Sequence, residues 1–125
     1  MKNKIMLVFA LMICVVVIAA CSSSEKSGFP TGKFVKSNNE NHGFIFNEDK
    51  TFSVFDDSIT IVNGTYSVNG DIFTDESNDQ NCPPMSFKYT FDGTNLTFNY
   101  VGNPADDPCD GRRTDLNNQT YILAK

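Results

Sequence analysis

The chain has 125 residues, with 10 basic and 15 acidic side chains and a net charge of −5. This length supports one domain with one hydrophobic core and excludes a second domain. The acidic balance argues against binding to nucleic acid and against electrostatic adhesion to anionic lipid.

The first twenty residues have the pattern of a secretory signal peptide. Lys2 and Lys4 form a basic start, and residues 5–20 follow without a charged side chain. This apolar run is short for a membrane span, which needs about 20 residues. Its length and its small final residues are typical of an exported leader. We therefore expect residues 1–20 to be removed, and losing the two lysines changes the net charge from −5 to −7.

The leader ends in Ile18-Ala19-Ala20-Cys21, which resembles a bacterial lipobox. The resemblance implies that Cys21 becomes the N-terminus and carries a thioether-linked diacylglycerol, usually with an amide-linked third chain such as palmitate. Two or more chains anchor a protein stably to a membrane, whereas one chain binds only marginally. The expected location is the cell envelope, at the outer membrane if the host has two, because Ser22 follows. The alternative is an ordinary leader or an uncleaved anchor in which Cys21 has no role.

Small polar residues follow the leader, so we assign residues 21–31 to the lipidated cysteine and a flexible tether. Eight or nine extended residues reach about 30 Å, which keeps the domain near its membrane. The folded domain is then expected to comprise residues 32–125.

Four cysteines are present, of which Cys14 leaves with the leader and Cys21 is acylated. The remaining pair, Cys82 and Cys109, is expected to form a disulfide, because the domain is exported. A shared metal ion is the alternative, but a structural zinc site needs two further ligands and the chain has one histidine. We expect no metal and no cofactor.

From Gly32 onward, apolar side chains alternate with polar ones in about eight short runs, which predicts β-strands. Phe34 opens the first run, and a polar loop over 37–42 is expected before the next two. A longer strand then contains Gly64 as an expected bulge. Asn69-Gly70 predicts a tight hairpin turn.

The later runs are joined by a turn at Asp92-Gly93, and the polar loops 76–84 and 102–118 hold Cys82 and Cys109. No helical pattern is longer than one turn. The sequence therefore predicts an all-β fold, a small antiparallel up-and-down barrel of about eight strands, whose closure removes its edges. A two-sheet β-sandwich is the alternative, and we expect a monomer.

Gly32-Lys33-Phe34 resembles the Gly-x-Trp opening of lipocalins, with Phe in place of Trp. The hairpins at 64–71 and 91–98 are similar to those of small lipocalin-like, calycin-type bacterial lipoproteins. The resemblance spans residues 32–125 and implies a barrel able to hold a ligand. It also implies a late arginine, Arg112 or Arg113, placed over Phe34.

His42 is the only histidine and is expected in a solvated polar loop. A Ser-His-Asp arrangement needs a neighbouring nucleophile and a carboxylate, and no spacing indicates one, so we predict no catalytic residues and no enzyme. A disulfide between the two long loops would gather six carboxylates at one barrel end. Their spacing does not match a calcium-binding loop. The six are Asp75, Glu76, Asp79, Asp106, Asp107 and Asp110.

The inward aromatic side chains can either fill the barrel or line a cavity, and their volume favours a filled core. The leading functional hypothesis is a non-catalytic, membrane-anchored envelope lipoprotein that binds a small apolar ligand. The alternative is a protein-binding module, an inhibitor or assembly factor, that uses its acidic loops. The aromatic residues are Phe34, Phe44, Phe46, Phe52, Phe87, Tyr89, Phe91, Phe98, Tyr100 and Tyr121. Those expected to line a ligand pocket are Phe44, Phe46, Phe87, Tyr89 and Phe98.

Overall fold

The structure is a computed structural model that describes residues 28–125. The predicted signal peptide, Cys21 and the tether up to residue 27 lie outside the described residues. No helix in the described part of the chain is long and apolar enough to cross a membrane.

Eight antiparallel strands form a closed barrel in which each strand pairs with its neighbours in sequence and β1 pairs with β8. The predicted eight-stranded up-and-down barrel is confirmed, and the sandwich alternative is excluded. The strands are β1 (Gly32–Lys36), β2 (Asn39–Phe46), β3 (Thr51–Asp56), β4 (Ile59–Asn69), β5 (Ile72–Ser77), β6 (Met85–Phe91), β7 (Asn95–Tyr100) and β8 (Thr120–Leu123).

The loop between β7 and β8 contains a helix, α1 (Asp110–Leu116), after a 3₁₀ turn at Pro104–Asp106. The prediction of no helix longer than one turn is wrong, because seven residues make about two turns. Arg112 and Leu116 lie four residues apart on the buried face of α1. Since one of these two buried positions is charged, the segment shows no apolar helical period.

The predicted polar loop over 37–42 is also wrong. The turn comprises only Ser37 and Asn38, and β2 begins at Asn39. Its first three residues are exposed. The hairpin therefore projects beyond the core, where no apolar alternation is required.

Gly64 lies in regular pairing with Phe52 of β3 and Ser77 of β5, so the predicted bulge at this residue is wrong. A Cβ at Gly64 would lie 2.7 Å from Phe52 Cε1 and from the Cα of Ser77. Glycine is therefore required here for the close approach of the neighbouring strands. The bulge lies three residues earlier, at Ile61, where the β3–β4 register shifts.

Aromatic side chains fill the middle of the barrel. Phe98 lies at its centre, with its ring centroid 5.2 Å from that of Phe73 and 6.4 Å from that of Phe46. Most of the predicted inward aromatics are buried, and Tyr89, Phe91 and Tyr100 are partly buried against them. The core has further members that were not among the predicted aromatics, including Phe29, Tyr66 and Phe73.

One end of the barrel is closed by Phe29, which precedes β1 and is 5% exposed. Its ring lies 4.8–5.2 Å from the rings of Phe46, Tyr66, Phe73 and Tyr89. We call this the sealed end; it also carries the short turns 47–50, 70–71 and 92–94. Phe29 therefore belongs to the barrel core, and the expected tether over residues 21–31 extends too far toward the C-terminus.

Candidate functional site

The opposite end, which we call the mouth, is framed by the loops 57–58, 78–84 and 101–119. The two long loops are joined by a disulfide between Cys82 and Cys109, so the predicted disulfide is confirmed. The bridge closes a loop with a sequence separation of 27 residues. By loop-closure entropy it stabilises the fold by about 3.5 kcal/mol.

A cavity of about 350 Å³ lies at the mouth, between α1 and the strands β3, β4 and β5. This volume falls within the range of small-molecule sites. Its apolar wall comprises Phe44, Phe52, Val54, Val62 and Leu116. Its polar groups include the buried residues Asp75 and Arg112, the partly buried Ser77 and Asp115, and the exposed Asp79 and Asp110 at the rim.

Of the five residues expected to line a ligand pocket, Phe44 is part of the cavity wall. Phe46, Phe87 and Phe98 are no more than 1% exposed and pack within the filled core. Tyr89 lies at the sealed end, where its hydroxyl donates a hydrogen bond to the Gly70 carbonyl at 3.3 Å. The filled core therefore separates Tyr89 from the cavity.

The remaining wall residues were missed for two reasons. Phe52 and Val54 lie on one face of β3 and were assigned to the barrel interior. Their alternation with polar residues does not indicate that a cavity lies next to them. Leu116 stands alone in a polar stretch, and only its four-residue spacing from Arg112 could have indicated a buried helix face.

Arg112 connects three parts of the mouth. Its Nε and Nη2 donate to both carboxylate oxygens of Asp107, at 2.8 and 2.7 Å. Nη2 also donates to the Pro83 carbonyl at 2.8 Å, and Nη1 reaches Asp75 Oδ1 at 3.4 Å. Arg112 thereby ties α1 to both cysteine loops and to β5.

The placement of an arginine over Phe34, implied by the lipocalin resemblance, is not found. The cation–π contacts within residues 28–125 are those of Lys33 with Phe55 and of Lys50 with Tyr66. Arg113 donates instead to the Asp107 carbonyl at 2.7 Å.

Two buried carboxylates share the Arg112 guanidinium unequally. Burial raises the pKa of Asp107, but hydrogen bonds from Arg112, the Cys109 N–H and the Tyr100 hydroxyl outweigh it and hold the pKa below the ordinary value. Burial also raises the pKa of Asp75, and there the weaker contact with Arg112 leaves the pKa above the ordinary value. The charge of Arg112 is therefore compensated mainly by Asp107.

His42 is not in a solvated loop, so that expectation is wrong. It lies on β2, paired with Asp56 of β3, and its side chain is 11% exposed. Nε2 lies 2.9 Å from Asp115 Oδ1 without the alignment of a hydrogen bond, and Lys36 Nζ donates to the same oxygen at 3.3 Å. Lys36 therefore compensates Asp115 from outside the cavity, and the His42 imidazole lies beside the same carboxylate oxygen.

The structure brings together only some of the six predicted carboxylates. Asp75 and Asp107 meet at Arg112, while Asp110 pairs with Arg113. Glu76 is exposed and accepts a hydrogen bond from Thr65 at 3.2 Å. Within residues 28–125, no group of three or more His, Cys, Asp or Glu side chains is arranged to hold a metal ion.

Comparisons with protein-family models, with curated proteins and with solved structures gave no match. The fold and the site define a closed eight-stranded antiparallel barrel with an aromatic core, one sealed end and a disulfide-framed cavity at the other.

Proposed function

We propose that this protein is a lipid-anchored envelope protein whose barrel binds a small, largely apolar molecule in the mouth cavity. The observation that carries the proposal is the cavity of about 350 Å³ lined by Phe44, Phe52, Val54 and Leu116. These four side chains are almost fully buried from solvent, yet they border empty volume. A site of this size, with apolar walls and a few polar groups, is typical of small-molecule binding.

The packing of the rest of the barrel supports this proposal. Protein interiors are close-packed, and side chains beside a gap lose dispersion contacts on that side. The core around Phe98 shows such close packing. The side chains around Val54, in contrast, border the cavity on one side instead of other side chains. An apolar ligand at the mouth would restore the missing contacts and remove the wall from water.

The proposed lipid anchor places the cavity on the side away from the membrane. Only seven residues separate Cys21 from Phe29, and Phe29 lies at the sealed end. Extended, this segment reaches about 25 Å, so the sealed end stays within that distance of the lipid. The mouth then faces the aqueous compartment, which suits capture or transfer of a ligand from that side.

The test uses the full chain carrying Cys21→Ser, which cannot be acylated, and the neutral fluorescent probe N-phenyl-1-naphthylamine. Val62 and Val68 are partly buried valines on the same strand, β4, but only Val62 lines the cavity. We expect Val62→Phe to weaken probe binding at least tenfold, because its ring occupies the cavity. Val68→Phe serves as the matched control and should retain binding. Equal binding by both variants, or no binding by the unsubstituted chain, would reject the proposal.

A second candidate function is the binding of a protein with a basic surface at the mouth. It is favoured by Ile61, which is 53% exposed and lines the cavity together with the acidic rim residues Asp79 and Asp110. Ile59, two residues earlier on β4, is 67% exposed. Apolar side chains bordered by charged ones are typical of interaction sites. Ile59→Asp should then abolish association with the partner and leave probe uptake unchanged. Unchanged association would remove this candidate.

A further inference from the structure

The negative charge of Asp75, which lines the mouth cavity, is poorly compensated. Two buried carboxylates, Asp75 and Asp107, face one buried guanidinium, that of Arg112. Asp107 accepts two short hydrogen bonds from Arg112 and a third, of 2.7 Å, from the Tyr100 hydroxyl. Asp75 receives the 3.4 Å contact from Arg112 and, from Ser77, a backbone hydrogen bond and a weaker interaction with the hydroxyl, whose geometry is not that of a hydrogen bond. A buried carboxylate with so little compensation is costly unless it takes up a proton or another cation approaches it.

The other carboxylates of the cavity differ from Asp75 in this respect. Asp115 has Lys36 at 3.3 Å, with His42 beside it. Asp110 forms an ion pair with Arg113. Asp79 is exposed, so water solvates its charge. Asp75 is therefore the cavity carboxylate that is both buried and poorly compensated.

Asp75 also has an oxygen available for a ligand. Both of its hydrogen bonds fall on Oδ1, from the Ser77 N–H at 2.8 Å and from Arg112 at 3.4 Å. Its Oδ2 accepts no hydrogen bond from the described residues. This carboxylate lines the cavity although the residue is only 4% exposed to solvent.

Ser77 provides a second polar atom at the same place. It lies two residues after Asp75 on β5, so the two side chains point to the same face of the sheet. Ser77 also lines the cavity, and its buried Oγ interacts with the Asp75 carboxylate without forming a well-aligned hydrogen bond to any of residues 28–125. Buried polar atoms in folded proteins are normally hydrogen-bonded, so a poorly bonded one beside a cavity points to a missing partner.

We infer that the ligand of the mouth cavity is a cationic amphiphile whose primary ammonium group binds Asp75 Oδ2 and Ser77 Oγ. This inference rests on the proposed ligand-binding function. An ammonium group has positive charge and three donors, which suits one carboxylate and one hydroxyl oxygen. The apolar part of the ligand would lie against Phe44, Phe52 and Val54.

The site favours an ammonium group over the other polar groups that a ligand could carry. A carboxylate on the ligand would meet the charge of Asp75 at close range, where repulsion is strong because little water intervenes. A neutral hydroxyl could bond to Ser77 but would leave the charge of Asp75 uncompensated. An ammonium group donates charge-assisted hydrogen bonds and also neutralises the charge of the carboxylate, so it is preferred over both.

The test compares three probes that share one alkyl chain: octylammonium, octanol and octanoate. Each is titrated by calorimetry at neutral pH into the full chain carrying Cys21→Ser. We expect octylammonium to bind at least tenfold more tightly than octanol, and octanoate to bind most weakly. Equal affinities of octylammonium and octanol would overturn the inference while leaving the proposed apolar site intact. If none of the three probes binds, the proposed function fails as well.

Variants of the protein test which residues produce the preference for octylammonium over octanol. Asp75→Asn should reduce the preference for octylammonium over octanol from at least tenfold to about twofold. Because this ratio is measured on one and the same variant, a general loss of cavity binding would not change it. Asp71→Asn is the matched control, because Asp71 is exposed at the sealed end, where it pairs with Lys88. Ser77→Ala retains the charge of Asp75 and should lose several-fold in octylammonium affinity through one missing hydrogen bond. A preference that survives Asp75→Asn would overturn the inference.

Discussion

The two ends of the barrel are built from different interactions. The sealed end is closed by Phe29 and the rings around it, under turns of two to four residues. The mouth has long polar loops, a two-turn helix, a disulfide and a buried ion cluster around Arg112. The sealed end supplies stability by burying aromatic surface, whereas the mouth leaves volume that a ligand can occupy.

The difference explains why the disulfide is at the mouth. The loop segments 78–84 and 101–109 contain few large apolar side chains, so burial alone cannot fix them. Cys82–Cys109 and the contacts of Arg112 with Asp107 and Pro83 fix them instead. Covalent and ionic links thus hold the loops in place at the end of the barrel, and the cavity lies between α1 and the strands beneath it.

The largest loss of stability is expected when the Phe29 ring is removed from the sealed end. Phe29→Ala removes a ring that contacts several others and should lower the free energy of unfolding by about 3–5 kcal/mol. Urea unfolding measures it, with Ile61→Ala at the mouth as control. Ile61 is 53% exposed, so its truncation should cost about 0.5 kcal/mol or less. Similar costs for both variants would contradict the contrast between the ends.

Removal of the disulfide is the corresponding change at the mouth. Cys82→Ala combined with Cys109→Ala should lower the free energy of unfolding by about 3.5 kcal/mol, because the unfolded chain regains the entropy of the closed loop. Calorimetric melting measures this loss. Binding of N-phenyl-1-naphthylamine should weaken in parallel, since the loops that frame the cavity are released. Unaltered probe binding would show that the bridge does not shape the cavity.

Substitutions at two glycines compare a site where strands pack closely with an open site at the mouth. Gly64→Ala places a methyl group 2.7 Å from Phe52 Cε1 and should cost about 1–3 kcal/mol. Gly111→Ala lies in α1, where an added Cβ meets nothing within 4 Å, and should stabilise by up to about 1 kcal/mol. Thermal unfolding of both variants gives the comparison. A stabilising Gly64→Ala would contradict the observed strand spacing.

The smallest effect is a pH dependence at the mouth. Because the pKa of Asp75 is raised on folding, its contribution to stability is fully present below its ordinary pKa and is lost as pH rises through the folded-state value. Asp75→Asn removes this titration, so the stability of the variant relative to the unsubstituted chain should increase with pH. The groups facing Asp75 are Arg112 from α1, Ser77 on its own strand and, beyond Arg112, Asp107. Urea unfolding over a pH series measures the trend, and a stability difference between the two chains that does not change with pH would contradict it.

The sequence predicts the barrel better than it predicts the mouth. The period-two alternation around Phe44, Phe52, Phe87 and Phe98 reports which face of each strand is buried, so strand number and closure could be derived from it. The disulfide followed from cysteine parity and the predicted export. Neither signal depends on how the side chains pack in three dimensions.

The cavity depends on contacts that have no local signal. Alternation places Phe44 and Phe98 on the interior alike, yet only Phe44 borders the cavity, because packing depth along the barrel depends on strand stagger. Arg112 is buried by pairing with Asp107, five residues away, in a stretch that otherwise resembles a solvated loop. Phe29 was placed in the tether because it is a single apolar residue among polar ones.

The most direct test of the central claim is native mass spectrometry of the full chain carrying Cys21→Ser, titrated with octylammonium, beside the same chain with Val62→Phe. The account predicts a one-to-one adduct that is lost on denaturation and is strongly reduced in Val62→Phe. The bare protein mass at every probe concentration, or an equal adduct on both chains, would contradict the assignment of the mouth cavity as the binding site.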